Sequence, residues 1–149
     1  MPGAKVFMDS NILLYTRDLT ATDKSVASAH WLRSAAEIGA ARTNLQVLNE
    51  VTHVMLRKRR DLSMDEVFEA VDSIAFLGQS PVTASTTQLA RTIRANTAYS
   101  WWDCLLLASA LELNCTHFLS EDLQDGQTIQ GLTIVSPFAH SPDQILVSR

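Results

Sequence analysis

Apolar residues along the chain fall into short runs and helix-spaced stripes that alternate. Lys5–Met8 is an apolar strand candidate, and residues 27–38 carry apolar side chains at helical spacing up to Gly39, which ends the predicted helix. Ala41–Asn44 is a second strand candidate, followed by a predicted helix over 47–60. The first third of the chain therefore alternates between strand and helix.

The same alternation continues to the C-terminal end. The remaining predicted elements are a helix after the Ser63/Glu66 capping box, a brief strand and a helix after the breaks at Gly78 and Pro81, an almost uniformly apolar helix over Trp101–Leu113, and strands over His117–Ser120 and Leu132–Val135. Strands separated by helices predict right-handed crossovers and a parallel sheet covered on both faces.

This alternation predicts the α/β class, a three-layer α/β/α sandwich with a central parallel sheet. The length of 149 residues suits one domain with a real core. We find no repeat, low-complexity segment or internal linker. We expect residues 1–138 to form a single domain and residues 139–149 to form a C-terminal tail.

Composition and charge limit the partners and the cellular compartment that we expect for this protein. The net charge of −4 argues against an obviously basic nucleic-acid binder, although charge distribution matters more than the sum. One basic cluster, Arg57–Arg60, lies at the end of a predicted helix. Its simplest interpretation is a solvent-exposed helix end. The chain shows no membrane span or signal peptide, and its two cysteines suggest no disulfide framework. We therefore expect a cytoplasmic protein.

Acidic residues interrupt apolar segments where the predicted sheet would place a ligand. Asp9 breaks the run VFMDSNILLY directly after the first strand, and Asp122 directly follows the strand His117–Ser120. Ligands of open α/β sheets bind outside the carboxyl ends of the strands. Two acids at that edge indicate a candidate site.

Two further acids lie near the starts of apolar helices that begin at the same edge. They are Glu50 in NLQVLNEVTHVML and Asp103 in SWWDCLLLASAL. Four carboxylates close together would raise each other's pKa unless a cation neutralises them, and hard oxygen ligands suit Mg²⁺ or Mn²⁺. Zinc is disfavoured because the four histidines are scattered and no cysteine pair has ligand spacing.

Each acid also has a simpler interpretation. Asp9 could cap the following helix, and Ser100 with Asp103 fits a capping box. Glu50 could pair with a cation or face water, and Asp122 could be an ordinary turn acid. These alternatives stay open for each residue singly.

Four segments, MDSNILLY, NLQVLNEV, SWWDCLLLASAL and FLSEDLQDG, resemble in order and spacing the PIN-domain ribonucleases, particularly VapC-type toxins of bacterial toxin–antitoxin pairs. The resemblance runs from about residue 5 to residue 138. It implies a PIN-like fold and assigns the acid positions of the family to Asp9, Glu50, Asp103 and Asp122.

The fourth motif departs from the family pattern. Ser120 stands where the family has Thr, and Gly126 stands where it has Phe. The fourth acid is therefore open among Glu121, Asp122 and Asp125, and we favour Asp122 because it is in register. Ser10, Asn11 and Ser120 are the implied hydrogen-bonding partners that orient the carboxylates.

The resemblance implies cleavage of RNA phosphodiester bonds with Mg²⁺ or Mn²⁺ as cofactor. Asp9 and Asp103 would hold the metal most directly, with Glu50 and Asp122 completing the site and Asp125 as a further candidate ligand. The basic cluster, Arg57, Lys58, Arg59 and Arg60, becomes a candidate contact to the RNA backbone. Trp101 or Trp102 could stack a base, although we expect at least one of them in the core.

The resemblance also implies partners, namely a homodimer and a cognate VapB-type antitoxin that covers the site. Two rival functions remain. A haloacid-dehalogenase-like phosphatase also places an Asp after its first strand, but it requires a second Asp where this chain has Asn11. A non-catalytic PIN-like binding module would keep the fold and the acidic pocket without turnover.

Overall fold

The fold is built around a five-stranded sheet, described by a computed structural model for residues 3–20 and 22–146. The strands are β1 (Val6–Met8), β2 (Ala41–Arg42), β3 (His117–Leu119), β4 (Thr128–Ile129) and β5 (Leu132–Val135), in the spatial order β2-β1-β3-β5-β4. β1 pairs in parallel with β2 and β3, and β3 pairs in parallel with β5. All three side chains of β1 are buried, as expected for a strand covered on both faces.

Helices flank the sheet. They are α1 (Ser10–Tyr15), α2 (Asp23–Glu37), α3 (Leu45–Lys58), α4 (Met64–Asp72), a 3₁₀ turn (Ala75–Leu77), α5 (Ala84–Asn96), α6 (Trp101–Glu112) and α7 (Pro142–Ile145). Residues 104–110 of α6 are all buried, which confirms that its apolar sequence marks an internal helix. The predicted α/β sandwich is confirmed, with a central sheet in which four of the five strands are parallel. Within the described ranges, none of the helices combines the length and apolarity needed to cross a membrane.

Two details of the predicted strands are wrong. The brief strand expected after Pro81 does not form, because Pro81 lacks a donor for a ladder and Thr83 instead caps α5 in a capping box with Thr86. The sheet is also not purely parallel, since β4 pairs antiparallel with β5. The tight turn between them uses positive φ at Gln130 and Gly131.

The capping box predicted at the start of α4 is confirmed. The Ser63 hydroxyl accepts a hydrogen bond from the Glu66 amide at 3.1 Å, and the Glu66 carboxylate accepts one from the Ser63 amide at 2.9 Å. These bonds satisfy two donors that the helix itself leaves free.

We expect Ser63→Ala to lower the free energy of unfolding by about 1 kcal/mol, because the hydroxyl is an exposed cap with no second role. Ser63→Thr restores a capping oxygen and serves as the matched control. Urea unfolding of the two variants and the parent measures the difference. Equal stability of all three proteins would contradict the assigned cap.

The predicted tail, residues 139–149, is packed over its described part. α7 lies against α2, Pro142 is buried, and the indole Nε1 of Trp31 donates to the carbonyl of His140 at 2.9 Å. Residues 147–149 lie outside the described residues.

Candidate active site

Asp9 lies at the carboxyl end of β1, and its side chain is only 7% exposed. One carboxylate oxygen accepts a hydrogen bond from the Ser10 amide at 2.7 Å, which caps α1. The other oxygen accepts a hydrogen bond from the Ser120 hydroxyl at 3.1 Å. The capping interpretation is therefore correct as far as it goes, yet it places an anionic group in the protein interior.

The electrostatic surroundings of Asp9 oppose its charge. The pKa of Asp9 is raised to about 6, chiefly because the carboxyl group is buried and to a smaller extent because the carboxylates of Glu50 and Asp103 are nearby. The hydrogen bonds from Ser10 and Ser120 lower this pKa but do not offset burial. Asp9, Glu50 and Asp103 are thus close enough for their charges to interact.

None of these three acids has a cationic partner in the described ranges. The ion pairs there join Lys24 to Glu121, Arg59 to Asp61, and His140 to Asp125. A buried carboxylate beside two other acids normally requires a neutralising positive charge. In the described part of the chain, no ion pair supplies such a charge to Asp9, Glu50 or Asp103.

Asp103 lies in the first turn of α6, where only half of the expected capping box forms. The Ser100 hydroxyl accepts the hydrogen bond of the Asp103 amide at 3.1 Å. The reciprocal bond from the Ser100 amide to the Asp103 carboxylate is missing among the described contacts, unlike in the box at Ser63. Capping therefore explains the Asp103 backbone but not its carboxylate.

Glu50 lies on the half-buried side of α3. One of its oxygens accepts a hydrogen bond from the Gln46 side-chain amide at 3.3 Å, one turn earlier on the helix. This neutral donor leaves the charge of Glu50 uncompensated. Among the residues that the structure describes, Glu50 forms no ion pair, so this simpler alternative is not observed there.

Asp122 is connected to Asp9 through Ser120, and its carboxylate is also held by Asn11. The Asn11 side-chain amide donates to the Asp122 carboxylate at 3.1 Å, and the Asp122 backbone amide donates to the Ser120 hydroxyl at 3.3 Å. Ser120 therefore contacts both acids, and Asn11 holds the exposed carboxylate of Asp122 near the end of β1. All three residues expected to orient the acids have such contacts.

The other two candidates for the fourth acid are engaged elsewhere. Glu121 pairs with Lys24 and accepts a hydrogen bond from the Tyr15 hydroxyl at 2.6 Å, contacts that lower its pKa. Asp125 accepts hydrogen bonds from the Ser136 amide and the His140 imidazole, both at 2.8 Å, and these lower its pKa. No local sequence pattern indicates these long-range partners.

The donor chemistry fits a hydrated hard cation. Within residues 3–20 and 22–146, no three His, Cys, Asp or Glu side chains lie close enough together to ligate one ion directly. Mg²⁺ commonly keeps several waters and contacts only one or two carboxylates. Asp9, with Glu50 and Asp103 nearby, supplies oxygen ligands and negative charge of that kind.

The basic cluster at the end of α3 separates into residues with different surroundings. Arg59 forms the ion pair with Asp61 and donates to the Arg17 carbonyl at 2.7 Å, so its guanidinium is occupied. Arg57, Lys58 and Arg60 are exposed. Lys58 lines a groove of about 440 Å³ that also contains Asn11 and therefore reaches the acid edge.

A second, larger cleft of about 960 Å³ is lined by Glu50 and Ser10. We call it the Trp102 cleft, and its walls include Leu45, Gln46, Asn49, Glu50, Val82 and Trp102. Trp101 packs against the core, as expected for one of the two tryptophans, whereas Trp102 is 65% exposed. Sequence reasoning missed Gln46 and Asn49, whose polarity is ordinary for an exposed helix face.

The chain matches one protein-family model and several solved structures. A family model for the PIN domain matches residues 6–124. No curated protein sequence matches the chain.

Three solved structures share the fold at low sequence identity. A toxin–antitoxin complex from Klebsiella pneumoniae is 16% identical, with a TM-score of 0.61 over 89% of this chain and 98% of that chain. VapBC2 from Rickettsia felis, bound to a DNA fragment from its promoter, is 14% identical, with a TM-score of 0.65 over 88% and 97%. The sarcin–ricin loop cleaving toxin VapC20 of Mycobacterium tuberculosis is 14% identical, with a TM-score of 0.57 over 76% and 87%.

Proposed function

Because the chain belongs to the PIN domain family, we propose that it is a metal-dependent endoribonuclease and the toxin of a VapBC-type toxin–antitoxin pair. One observation carries the proposal, namely the buried carboxylate of Asp9 beside Glu50 and Asp103 without a cationic partner in the described chain. The similar fold of a toxin that cleaves the sarcin–ricin loop supports it.

The proposed reaction assigns a task to each residue of the acid edge. Asp9 and Asp103 hold Mg²⁺ or Mn²⁺ most directly, with Glu50 and Asp122 contributing through bound water or a further contact. The cation, when bound, polarises the scissile phosphate and lowers the pKa of a water molecule. Ser10 and Ser120 fix the two oxygens of Asp9 so that the carboxylate keeps one orientation.

We assign the fourth acid position to Asp122. Its carboxylate contacts Asn11 and, within residues 3–20 and 22–146, no cation, whereas Glu121 is neutralised by Lys24 and Asp125 by His140 if that imidazole is protonated. A carboxylate without a countercharge is the better ligand for an added cation. The charge partners, more than position in the motif, favour Asp122.

Lys58 is the basic residue best placed to contact the RNA backbone. It is exposed and lines the groove that contains Asn11, whereas Arg59 is held by Asp61. Arg57 and Arg60, also exposed, extend the same positive helix end. We retain the four residues as the proposed RNA-binding cluster, with Lys58 as the main contact.

We expect Lys58→Ala to weaken RNA binding for all sequences and to reduce the slope of log K against log salt by about 0.7, because one phosphate contact is lost. Arg33→Ala, which removes an exposed cation on α2 outside both grooves, is the control. Both slopes are obtained from the binding of a labelled single-stranded RNA between about 50 and 200 mM salt. Phosphate contacts change the affinity strongly over this range. Identical slopes would contradict the assignment.

The proposed partners follow from the acidic site and the family. A VapB-type antitoxin that offers a basic side chain to Asp9 and Asp103 would match their negative charge. The solved complexes named above show toxins of similar fold with antitoxins. We propose a homodimer that acts in the cytoplasm, where the buried free thiols of Cys104 and Cys115 would stay reduced.

The central experiment incubates the purified protein, freed of any partner, with a mixed RNA pool in Mg²⁺, in Mn²⁺ and in chelator. The proposal predicts cleavage products only with metal. Release of phosphate from a small phosphomonoester through a trapped aspartyl-phosphate would instead support a phosphatase. RNA binding without turnover under every condition would support a non-catalytic PIN-like module.

A further inference from the structure

The Trp102 cleft is a large concave surface beside the acid edge. Its volume of about 960 Å³ lies within the range of about 300–1,000 Å³ that is usual for small-ligand sites. Ser10, whose amide donates to the Asp9 carboxylate, and Glu50 both line it, so the cleft opens beside the acid edge. A polymer with a phosphate at the acid edge can therefore place a neighbouring group in this cleft.

The exposed indole is the feature that needs an explanation. Trp101 packs against the core, whereas the next residue, Trp102, is 65% exposed and forms a wall of the cleft. Tryptophan is normally among the most buried residues on average, so a freely exposed ring beside a site suggests a ligand with a flat face. Trp102 also directly precedes Asp103, which fixes its distance from the acids.

We propose that the Trp102 cleft binds an unpaired nucleobase of the RNA, next to the phosphate that is cut, by stacking the base on the indole. This inference rests on the proposed nuclease function. Trp102 lines the same cleft as Ser10 and Glu50, so the base of a nucleotide whose phosphate lies at the acid edge can reach the indole. Stacking on an aromatic ring tolerates every base, because each base has a π-face.

The remaining walls fit a base better than a charged group. Leu45 and Val82 provide partly exposed apolar surface, while Gln46 and Asn49 carry amides that can donate and accept hydrogen bonds. The side-chain oxygen of Gln46, Oε1, has no hydrogen-bond partner among the described residues. Glu50 would repel an anion, so a neutral base is the favoured occupant.

The test measures binding of a 5′-labelled eight-nucleotide adenosine RNA by anisotropy, in the Asp103→Asn background with Mg²⁺ so that the RNA is not cut. We expect Trp102→Ala to weaken binding between about 5-fold and 100-fold, and Trp102→Tyr to retain most of it. The matched control is Phe76→Ala, which removes a 72% exposed ring outside the cleft and should leave affinity unchanged.

An RNA of the same length with abasic sugars separates stacking from other effects. If Trp102 stacks a base, Trp102→Ala should change the affinity for this RNA by less than about 2-fold. An equal loss with both RNAs would assign Trp102 to backbone contact or folding and would overturn the proposal.

Cleavage by the wild-type protein, measured in parallel, distinguishes the two levels of inference. Unchanged RNA affinity of Trp102→Ala, together with wild-type cleavage, would overturn only the base site. A change in sedimentation mass at unchanged RNA affinity would assign the cleft to a protein contact and likewise overturn it. Absence of both binding and cleavage in the wild type would overturn the nuclease function as well.

Discussion

Asp103→Asn is expected to lower the rate of metal-dependent RNA cleavage by at least about 100-fold while leaving the fold intact. The proposed cation contributes several kcal/mol to the transition state, and each 1.36 kcal/mol corresponds to a factor of about ten in rate. The amide keeps the size of the side chain but removes the charge that holds the cation.

The structure explains why this substitution should spare stability. The Asp103 carboxylate accepts no hydrogen bond among the described residues, and the helix cap is made by Ser100 through the Asp103 backbone amide. The backbone contact is retained in the variant. The loss should therefore appear in the cleavage rate and not in the free energy of unfolding.

Single-turnover cleavage at saturating Mg²⁺, with unfolding measured on the same samples, tests both statements. Asp65→Asn is the matched control, because Asp65 is likewise an acid in the first turn of a helix, on α4. Parent-like cleavage by Asp103→Asn would remove this residue from the proposed site. A fall in cleavage that follows a fall in stability would assign it a structural role instead.

Asp9→Asn should make the metal-free protein more stable near pH 7, by up to about 3 kcal/mol. Folding raises the pKa of Asp9 from 3.8 to about 6, and one pKa unit corresponds to about 1.4 kcal/mol. Between pH 3.8 and about 6, Asp9 is therefore more often protonated in the folded state than in the unfolded state. The parent therefore loses stability as pH rises from about 4 to 7, and the Asn variant avoids this loss.

The side-chain contacts allow the replacement. In the parent, the Ser10 amide and the Ser120 hydroxyl both donate to the Asp9 carboxylate. In the variant, the side-chain oxygen of Asn can accept from the Ser10 amide, and its side-chain NH₂ group can donate to the Ser120 hydroxyl. Unfolding in urea with chelator, from pH 4 to 7.5, measures the difference. A difference that does not change with pH would show that the charge of Asp9 is not destabilising.

Added Mg²⁺ should reverse the order of the two proteins. It would stabilise the parent, whose carboxylate gains a countercharge, and leave Asp9→Asn almost unchanged. Asp61→Asn is the control of opposite sign. The ion pair with Arg59 lowers the pKa of Asp61, so removing its charge should slightly destabilise the protein above pH 4, with or without Mg²⁺.

Local rules predicted the features whose cause lies within a few residues. Capping chemistry located Ser63 at the start of α4, and apolar runs located β1, β3, β5 and the buried α6. The family resemblance is confirmed by the PIN domain match over residues 6–124. The expectation that ligands bind at the carboxyl ends of strands correctly predicted that Asp9 and Asp122 follow neighbouring strands. Their role as metal ligands stays a prediction.

Features that depend on distant partners were not predictable. The antiparallel β4 has only two residues, too few for a recognisable period, and its turn relies on Gln130 with positive φ. The basic cluster looked uniform because its separation depends on Asp61 and on the carbonyl of Arg17. The pairing of Glu121 with Lys24 spans 97 positions and has no local signature.

The hydrogen bonds at the end of β3 have a consequence for amide exchange. The Asp9 amide donates to the Leu119 carbonyl, the Ser120 amide to Val135 and the Gly126 amide to Ile134. The segment that carries Asp122 cannot open without breaking strand-edge bonds of the central sheet. Its protected amides should therefore exchange with solvent at rates close to those of global unfolding, as core strands do, although the segment has the composition of a surface loop.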